Sequence, residues 1–379
     1  MVVFSIKSIK ADNVTDRPHS FGKHSGQLVR DSEWYNSGPP PELLRREFIT
    51  PKDLFFTRNH GAVPEIDPGT FRLKVTGMVE RELELSLHDL QTSLPRRTVA
   101  ATMACAGLRR DELMAYRPIP GEVAWGAEPI SNGIWTGAPL RDVLLMAGLR
   151  PGASHVEFIG LDQVQRHGKQ FGFGGSIPLD KALGQEVLLA FEMNDGPLPP
   201  VHGFPLRGVV PGCIGARSVK WLSEIIVTDA PSENYFQAHA YKTFPPEIGP
   251  DTVRWETGFM LHDLPLNSVI WDPLPGGRVS AGSVTIRGWA MATRGEVVER
   301  VEVSADGGRT WTPAEFTERG NRWTWCFWSI RQVLKSGPHT LVVRAIDSAG
   351  QVQPDQVDRI WNFKGYMNNA WHRIDVEVV

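Results

Sequence analysis

Apolar and polar residues alternate with period two in Phe71-Arg72-Leu73-Lys74-Val75 and again around Leu83 and Leu85, the spacing of half-buried strands. Leu140, Val143 and Leu144 switch to helical spacing, which Gly148 ends. A further strand pattern follows at Val219, Trp221, Ile225 and Val227. Such elements, mixed with many Gly and Pro loops and no long helix, predict an α+β domain rather than a regular βαβ array. Beyond about residue 250 the helical spacing disappears. Val284 and Ile286 alternate with Thr285 and Arg287, Val301 and Val303 with Glu302 and Ser304, and Leu341-Val342-Val343-Arg344-Ala345 reads as another strand. Asp306-Gly307-Gly308 before Trp311 is a hairpin-type turn signal. Short strands separated by turns predict an all-β sandwich.

Three segments result: an extended N-terminal stretch over 1–50, with Ser37-Gly38-Pro39-Pro40-Pro41 as a stiff spacer, an α+β domain over 51–250 and a sandwich over 251–379. A chain of 379 residues is long enough for such a division. A 41% apolar and 22% charged composition is that of a globular protein and excludes a disordered chain. The net charge of −3 argues against nucleic acid as a partner. No apolar run is long enough to cross a bilayer. The opening Met1–Asn13 stretch turns polar too early for a secretory leader, so a cytoplasmic location is expected, or a periplasmic one if a leader precedes the chain.

Three cysteines without C-x-x-C spacing exclude a disulfide framework, a thiol-built zinc site and an iron–sulfur cluster. Cys213 and Cys326 have no adjacent charge and read as packing residues. Cys105 differs, because small residues surround it and Arg109 and Arg110 follow. Positive charge favours the thiolate that attacks or binds metal, whereas burial among apolar groups leaves a thiol inert; local sequence allows both. Phe56-Thr57-Arg58-Asn59-His60, His202 to Arg207, and Arg217-Ser218-Val219-Lys220 collect cations, amides and imidazoles beside Gly and apolar residues. Arg suits bidentate oxyanion or phosphate binding and Lys supplies a point charge. Each cation alone reads more readily as a solvated surface group. Walker and G-x-G-x-x-G loops are missing, as are G-x-S-x-G, H-E-x-x-H and C-x-x-C-H, which weighs against ATP, NAD, hydrolase, zinc-protease and c-type haem chemistry.

Taken in order, these segments resemble the sulfite oxidase family of molybdenum enzymes. The resemblance runs from Phe55 to the C-terminus, through Cys105 to Arg110, Gly160-Leu161-Asp162, Phe191 to Asn194, His202 to Arg207, Gly215 to Trp221 and Asn369 to Arg373. It implies a molybdopterin-binding domain followed by an immunoglobulin-like domain that mediates homodimers. It implies Cys105 as the molybdenum ligand, with molybdopterin held by Phe56, Thr57, Arg58, Asn59, His60, Asp162, His202, Arg207, Ser218, Val219 and Lys220. Arg58, Arg110, Trp125 and Tyr241 correspond to the family's oxyanion pocket, and Lys364 stands where the family has an Arg. The implied reaction is oxidation of sulfite, a small oxyanion, to sulfate; reduction of nitrate or a sulfoxide on the same cofactor is the alternative. His239 and Ala240, Leu108, and Pro200-Val201 also depart from the family pattern. No His-Pro-Gly-Gly motif for a fused b-type haem domain is present, so an external acceptor is expected: a cytochrome, another carrier or oxygen.

Overall fold

The computed structural model describes residues 21–379. The segment expected to be extended is not simply a spacer, although residues 1–20 lie outside the described residues. Strands Leu28–Asp31 and Asn36–Gly38 pair, and a one-turn helix, Pro41–Leu44, follows. Ser37 exchanges backbone hydrogen bonds with Thr57 at 2.7 and 3.0 Å, so this segment is stitched onto the body of the protein. Periodicity missed it because its polar residues are buried by hydrogen bonding rather than by apolar contact.

Two sheets build the first large unit. One has the order Gly174–Pro178, His155–Gly160, Leu222–Thr228, Arg72–Gly77, Leu83–Ser86, with only the Leu222–Thr228/Arg72–Gly77 pair parallel. The other is antiparallel and runs Gly196–Pro197, Leu188–Met193, Ile130–Pro139, Arg97–Ala104, with Arg207–Val209 also paired to Leu188–Met193. His155–Gly160 shows strict alternation of half-buried and buried positions, the signature of a sheet with one face in the core. Helix Leu140–Ala147 turns Leu140, Val143 and Leu144 onto that core and ends at Gly148, whose φ of 72° few other residues adopt cheaply. At 8 residues it is the longest α-helix among those described, so the unit is mostly β, more strand-rich than the α+β reading. The strand read through Val219 and Trp221 begins only at Leu222; Trp221 has φ 51° and belongs to the preceding turn.

The second unit has two sheets. Asn267–Asp272, Gly282–Met291, Cys326–Leu334 and Glu315–Arg319 form one, in that order. Arg278–Val279, His372–Val378, Gly337–Asp347, Val298–Ser304 and Thr312–Pro313 form the other. Ile286 and Ala290 from the first meet Val301, Val343 and Ile374 from the second in one aliphatic core, which makes this a sandwich. The Asp306-Gly307-Gly308 signal marks the turn joining Val298–Ser304 to its antiparallel partner Thr312–Pro313.

Several tryptophans are not in that core. Trp271, Trp289 and Trp325 pack with Ala104, Ala106, Leu108 and Tyr241, across the boundary between the two units. Trp325 donates its backbone N–H to the Thr102 hydroxyl at 2.8 Å and its ring N–H to the Phe48 carbonyl at 3.0 Å. Arg109, fully buried, grips Glu112 with two bonds of 2.7 Å and reaches Asn267 and the Ala370 carbonyl at 2.8 and 2.9 Å. The second unit therefore clamps the end of strand Arg97–Ala104, where the first candidate thiol lies. No helix among the described residues is long and apolar enough to cross a membrane.

Candidate functional site

Strand Arg97–Ala104 becomes progressively buried toward its end and delivers Cys105 immediately after Ala104. The Cys105 N–H donates to the Pro129 carbonyl at 2.9 Å, and the Gly107 N–H approaches its sulfur at 3.4 Å. A cleft of about 710 Å³ opens beside this sulfur. Loop 55–60 and the segments around Asp162, His202 and Arg207, and 215–221 form its other walls. Residues widely separated in sequence are brought to one cavity, as a ligand site requires.

Among the sequence-predicted residues, Phe56, Arg58, Asn59, His60, Cys105, Asp162, His202, Arg207, Ser218, Val219, Lys220 and Tyr241 line this cleft. Thr57, Arg110, Trp125 and Lys364 do not. Thr57 faces away from it within the same loop, fully buried, and its hydroxyl has no protein partner. Trp125 lies in the apolar cluster that also holds Cys105, Phe56 and Met103, and its ring N–H is likewise unpartnered. Arg110 and Lys364 meet elsewhere, on either side of the Glu122 carboxylate.

Loop 55–60 is held from outside. The Asn59 N–H donates to Asn36 at 2.5 Å and its side-chain amide to the Trp34 carbonyl at 2.8 Å. The Phe56 N–H donates to the Ser131 hydroxyl at 3.0 Å. With its neighbours fixed, Arg58 stands in the cleft wall without a carboxylate within ion-pair distance among the described residues. His60 stacks on Phe173 with ring centroids 5.1 Å apart and shares a 2.9 Å hydrogen bond with the Tyr241 hydroxyl. Burial, reinforced by Arg58, depresses the His60 pKa far enough to leave the ring neutral.

The opposite wall concentrates positive charge. Arg207 donates to the carbonyls of His202 and Ser218 at 2.9 and 3.0 Å and lies over the Trp135 ring. Lys220 donates to Asn59 and to the Val201 carbonyl. Burial pulls Arg207 down to about 9, and burial followed by Arg207 depresses Lys220 strongly. Gly203, at φ 107°, lets the His202 turn close on this pair: a Cβ there would stand 3.0 Å from that of Arg207 and 3.1 Å from that of Lys220. Asp162 accepts from the Phe173 N–H at 3.1 Å, and burial raises it to about 6.

Lys23 is a site neighbour that sequence reasoning missed. It is buried, donates to the Lys52 and Phe55 carbonyls at 2.7 Å each and touches the His202 ring nitrogen. Burial brings its pKa down to about 7, while burial and then Lys23 keep His202 neutral. Lys23 precedes the recognisable motifs and has no apolar period around it, so local sequence carried no signal. Cys213 and Cys326, by contrast, are buried thiols pushed up to about 12 by that burial, consistent with packing roles.

Buried cations that contact carbonyls rather than carboxylates are costly, and a site with several of them is built for an anion. The Cys105 thiol at the same cleft adds a soft metal ligand, while the Met103 sulfur beside it is taken up by Arg207. Comparison with known proteins agrees with this geometry. Residues 60–236 match the oxidoreductase molybdopterin binding domain, and residues 259–379 match the Mo-co oxidoreductase dimerisation domain. The chain is 43% identical to sulfite oxidase of Gallus gallus over 93% of its own length and 78% of that protein's. It is 36% identical to sulfite oxidase of Arabidopsis thaliana, covering 93% of this chain and 94% of the relative. The sulfane dehydrogenase SoxCD structure from Paracoccus pantotrophus superposes with a TM-score of 0.78 at 26% identity, covering 98% of this chain and 96% of that one.

The fold and cleft thus define an oxidoreductase built around a molybdenum–molybdopterin cofactor. More particularly, the chain belongs to the sulfite oxidase family of molybdopterin enzymes. The residues present fit that cofactor: one cleft-facing thiol for the metal, and Arg207 and Lys220 without ion-paired carboxylates among the described residues for a phosphate.

Proposed function

We propose that this protein oxidises sulfite to sulfate and passes the electrons to an external acceptor. The carrying observation is the placement of Cys105 in the same cleft as Arg58, a cation with no carboxylate partner among the described residues. When bound, the molybdenum–pterin cofactor supplies two-electron redox chemistry and oxygen exchange with water. Cys105 holds the metal. Phe56, Arg58, Asn59, His60, Asp162, His202, Arg207 and Ser218 to Lys220 would orient the pterin and neutralise its phosphate, with Thr57 buried behind them in the same loop. Arg58 in the cleft wall, helped by Arg110 and Lys364 beside it once freed from Glu122, would attract and align the oxyanion, with Trp125 buttressing the wall beside Cys105. The Tyr241 hydroxyl, set by His60 at 2.9 Å, is a proton-bearing hydrogen-bond donor at the cleft. Burial raises its pKa well above the ordinary tyrosine value, so it remains protonated during turnover.

The sandwich is immunoglobulin-like and joins two copies into a homodimer, a reading supported by the match to a dimerisation domain. The electron acceptor is a cytochrome, another small carrier or oxygen. Molybdenum and pterin content measured beside a sulfite–ferricyanide assay tests the function. Cys105→Ser is expected to lower sulfite turnover by at least ~10³-fold, a loss of about 4 kcal/mol of transition-state stabilisation, while the thermal midpoint of the sandwich stays put. Unchanged turnover removes Cys105 from the site. Nitrate reduction by a reduced dye without sulfite oxidation replaces the reaction.

A further inference from the structure

Glu122 occupies a position that the reading above does not use. It lies at a bend in the irregular stretch between helix Arg110–Tyr116 and strand Ile130–Pro139. One carboxylate oxygen is hydrogen-bonded to the Lys364 ammonium, and the other is 3.5 Å from Arg110 Nη1. Arg110 is otherwise tied to the Gly365 and Val123 carbonyls at 3.0 and 2.9 Å, so its guanidinium is fixed in place. This cluster adjoins the cleft through two rings. Arg110 sits 4.9 Å from the centre of Tyr366, which stacks on Tyr241 at 5.4 Å and 24°. Tyr241 lines the cleft.

We propose that Glu122 is the resident counter-anion of the Arg110–Lys364 pair behind Tyr366, a specificity-setting side chain that an oxyanion drawn in past the cleft must displace from these two cations. The proposal rests on the reading that these two cations serve the substrate. A carboxylate presents a negative charge and hydrogen-bond acceptors in much the way an oxyanion does, so the two compete for the same donors. Two observations favour exchange over a permanent structural pair. Glu122 keeps 18% of its side chain exposed, so its released carboxylate has water to enter. Gly121, at φ 80° with nothing within 4 Å of a would-be Cβ, gives the backbone beside it room to turn. Arg58, by contrast, has no such occupant. The cleft therefore offers Arg58 at once, with Arg110 and Lys364 beside it released only after exchange, which weakens affinity for oxyanions and penalises those too small to replace both Glu122 contacts. Glu122 is a positioning residue, since it acts through Arg110 and Lys364.

The test uses the holoenzyme and its Glu122→Gln variant, with sulfite kinetics and sulfate binding by calorimetry. The variant is expected to lower the sulfite KM about tenfold, equal to ~1.4 kcal/mol, with kcat within about twofold. Sulfate should bind more tightly by a similar factor. Glu122→Asp should restore wild-type behaviour, and Glu122→Ala should reproduce the Gln effect if the amide disturbs folding. An unchanged or weakened sulfate affinity in Gln and Ala variants that retain molybdenum and their thermal midpoint overturns the proposal. Failure of the enzyme to oxidise sulfite, with sulfate binding still tightened, overturns the proposed reaction and leaves this inference standing.

Discussion

Ile286, Val301, Val343 and Ile374 fill the space between the two C-terminal sheets with aliphatic side chains, whereas buried Lys23, Arg207 and His202 and half-buried Lys220 crowd the cleft wall with cations and an imidazole. The first arrangement gains stability directly, because removing apolar surface from water is favourable wherever it occurs. The second does not. Its cations are desolvated and satisfied by carbonyls, an amide, the Met103 sulfur, the His202 ring nitrogen and ring faces, so the protein alone holds charge that a bound anion would neutralise. The sandwich is self-sufficient in this sense, and the cleft is incomplete. Between them, Trp271, Trp289 and Trp325 form an apolar bridge that fixes the strand carrying Cys105.

The most forceful way to separate the two regions is to damage the self-sufficient one. Ile286 is fully buried in strand Gly282–Met291, and truncation leaves a cavity that close-packed neighbours cannot fill. Ile286→Ala is expected to cost about 2–5 kcal/mol of unfolding free energy. Molybdenum content per folded molecule should stay at the wild-type level. Denaturant titration beside metal analysis checks both; a loss of metal from folded protein would show that the sandwich core reaches the cleft after all.

Legibility in the sequence followed the same division. The sandwich strands were readable because apolar side chains repeat with the pleat, and helix Leu140–Ala147 because Val143 and Leu144 repeat with the turn. Residues 28–38 were unreadable because backbone exchange at Thr57 and the Asn36–Asn59 contact, not hydrophobicity, place them. In the site, Cys105 and the His202 to Lys220 residues were legible through motif company. Arg110 and Lys364, expected in the oxyanion pocket, lie outside the cleft lining, bound to Glu122. Glu122 and Lys23 were missed because each acts through a partner far away in the chain, 242 positions for Glu122–Lys364 and 179 for Lys23–His202.

A titration sharpens the comparison with a smaller effect. Lys23 has a folded-state pKa near 7 against an ordinary value of 10.5, because burial outweighs the attraction of Asp53. Below pH 7 the ammonium is charged in both folded and unfolded chains, and its full burial penalty is present. Between about 7 and 10.5 the unfolded chain holds a proton that the folded one has released, so stability contributed by this group rises with pH. Cofactor-free protein should therefore gain at most ~1.4 kcal/mol per pH unit from Lys23 in that window. Lys23→Met should flatten this rise, as read by denaturant midpoints at pH 6, 8 and 10, while Ile286→Ala should shift every midpoint without changing the slope. An unchanged slope in Lys23→Met would mean that Lys23 keeps its proton through contacts stronger than its burial.

The smallest effect comes from an ion pair that geometry alone would rank highly. Arg96 Nη2 and Glu192 Oε2 are 2.5 Å apart, whereas Arg207 has no carboxylate within ion-pair distance among the described residues. Their side chains are 57% and 25% exposed, however, so water screens the attraction and each long side chain loses rotamer freedom to maintain it. Arg96→Ala should cost only about 0.2–1 kcal/mol, and less as salt is raised; Arg96 also covers the Phe191 ring at 5.8 Å. Measuring the variant at low and high ionic strength separates the two contributions: the charge part fades with salt and the packing part does not. A loss above 2 kcal/mol that persists in high salt would place this edge of the sheet with the self-sufficient core rather than with the solvated rim. The expected small, salt-sensitive loss would show that what distinguishes the cleft is not how close its charges lie but how thoroughly they are removed from water.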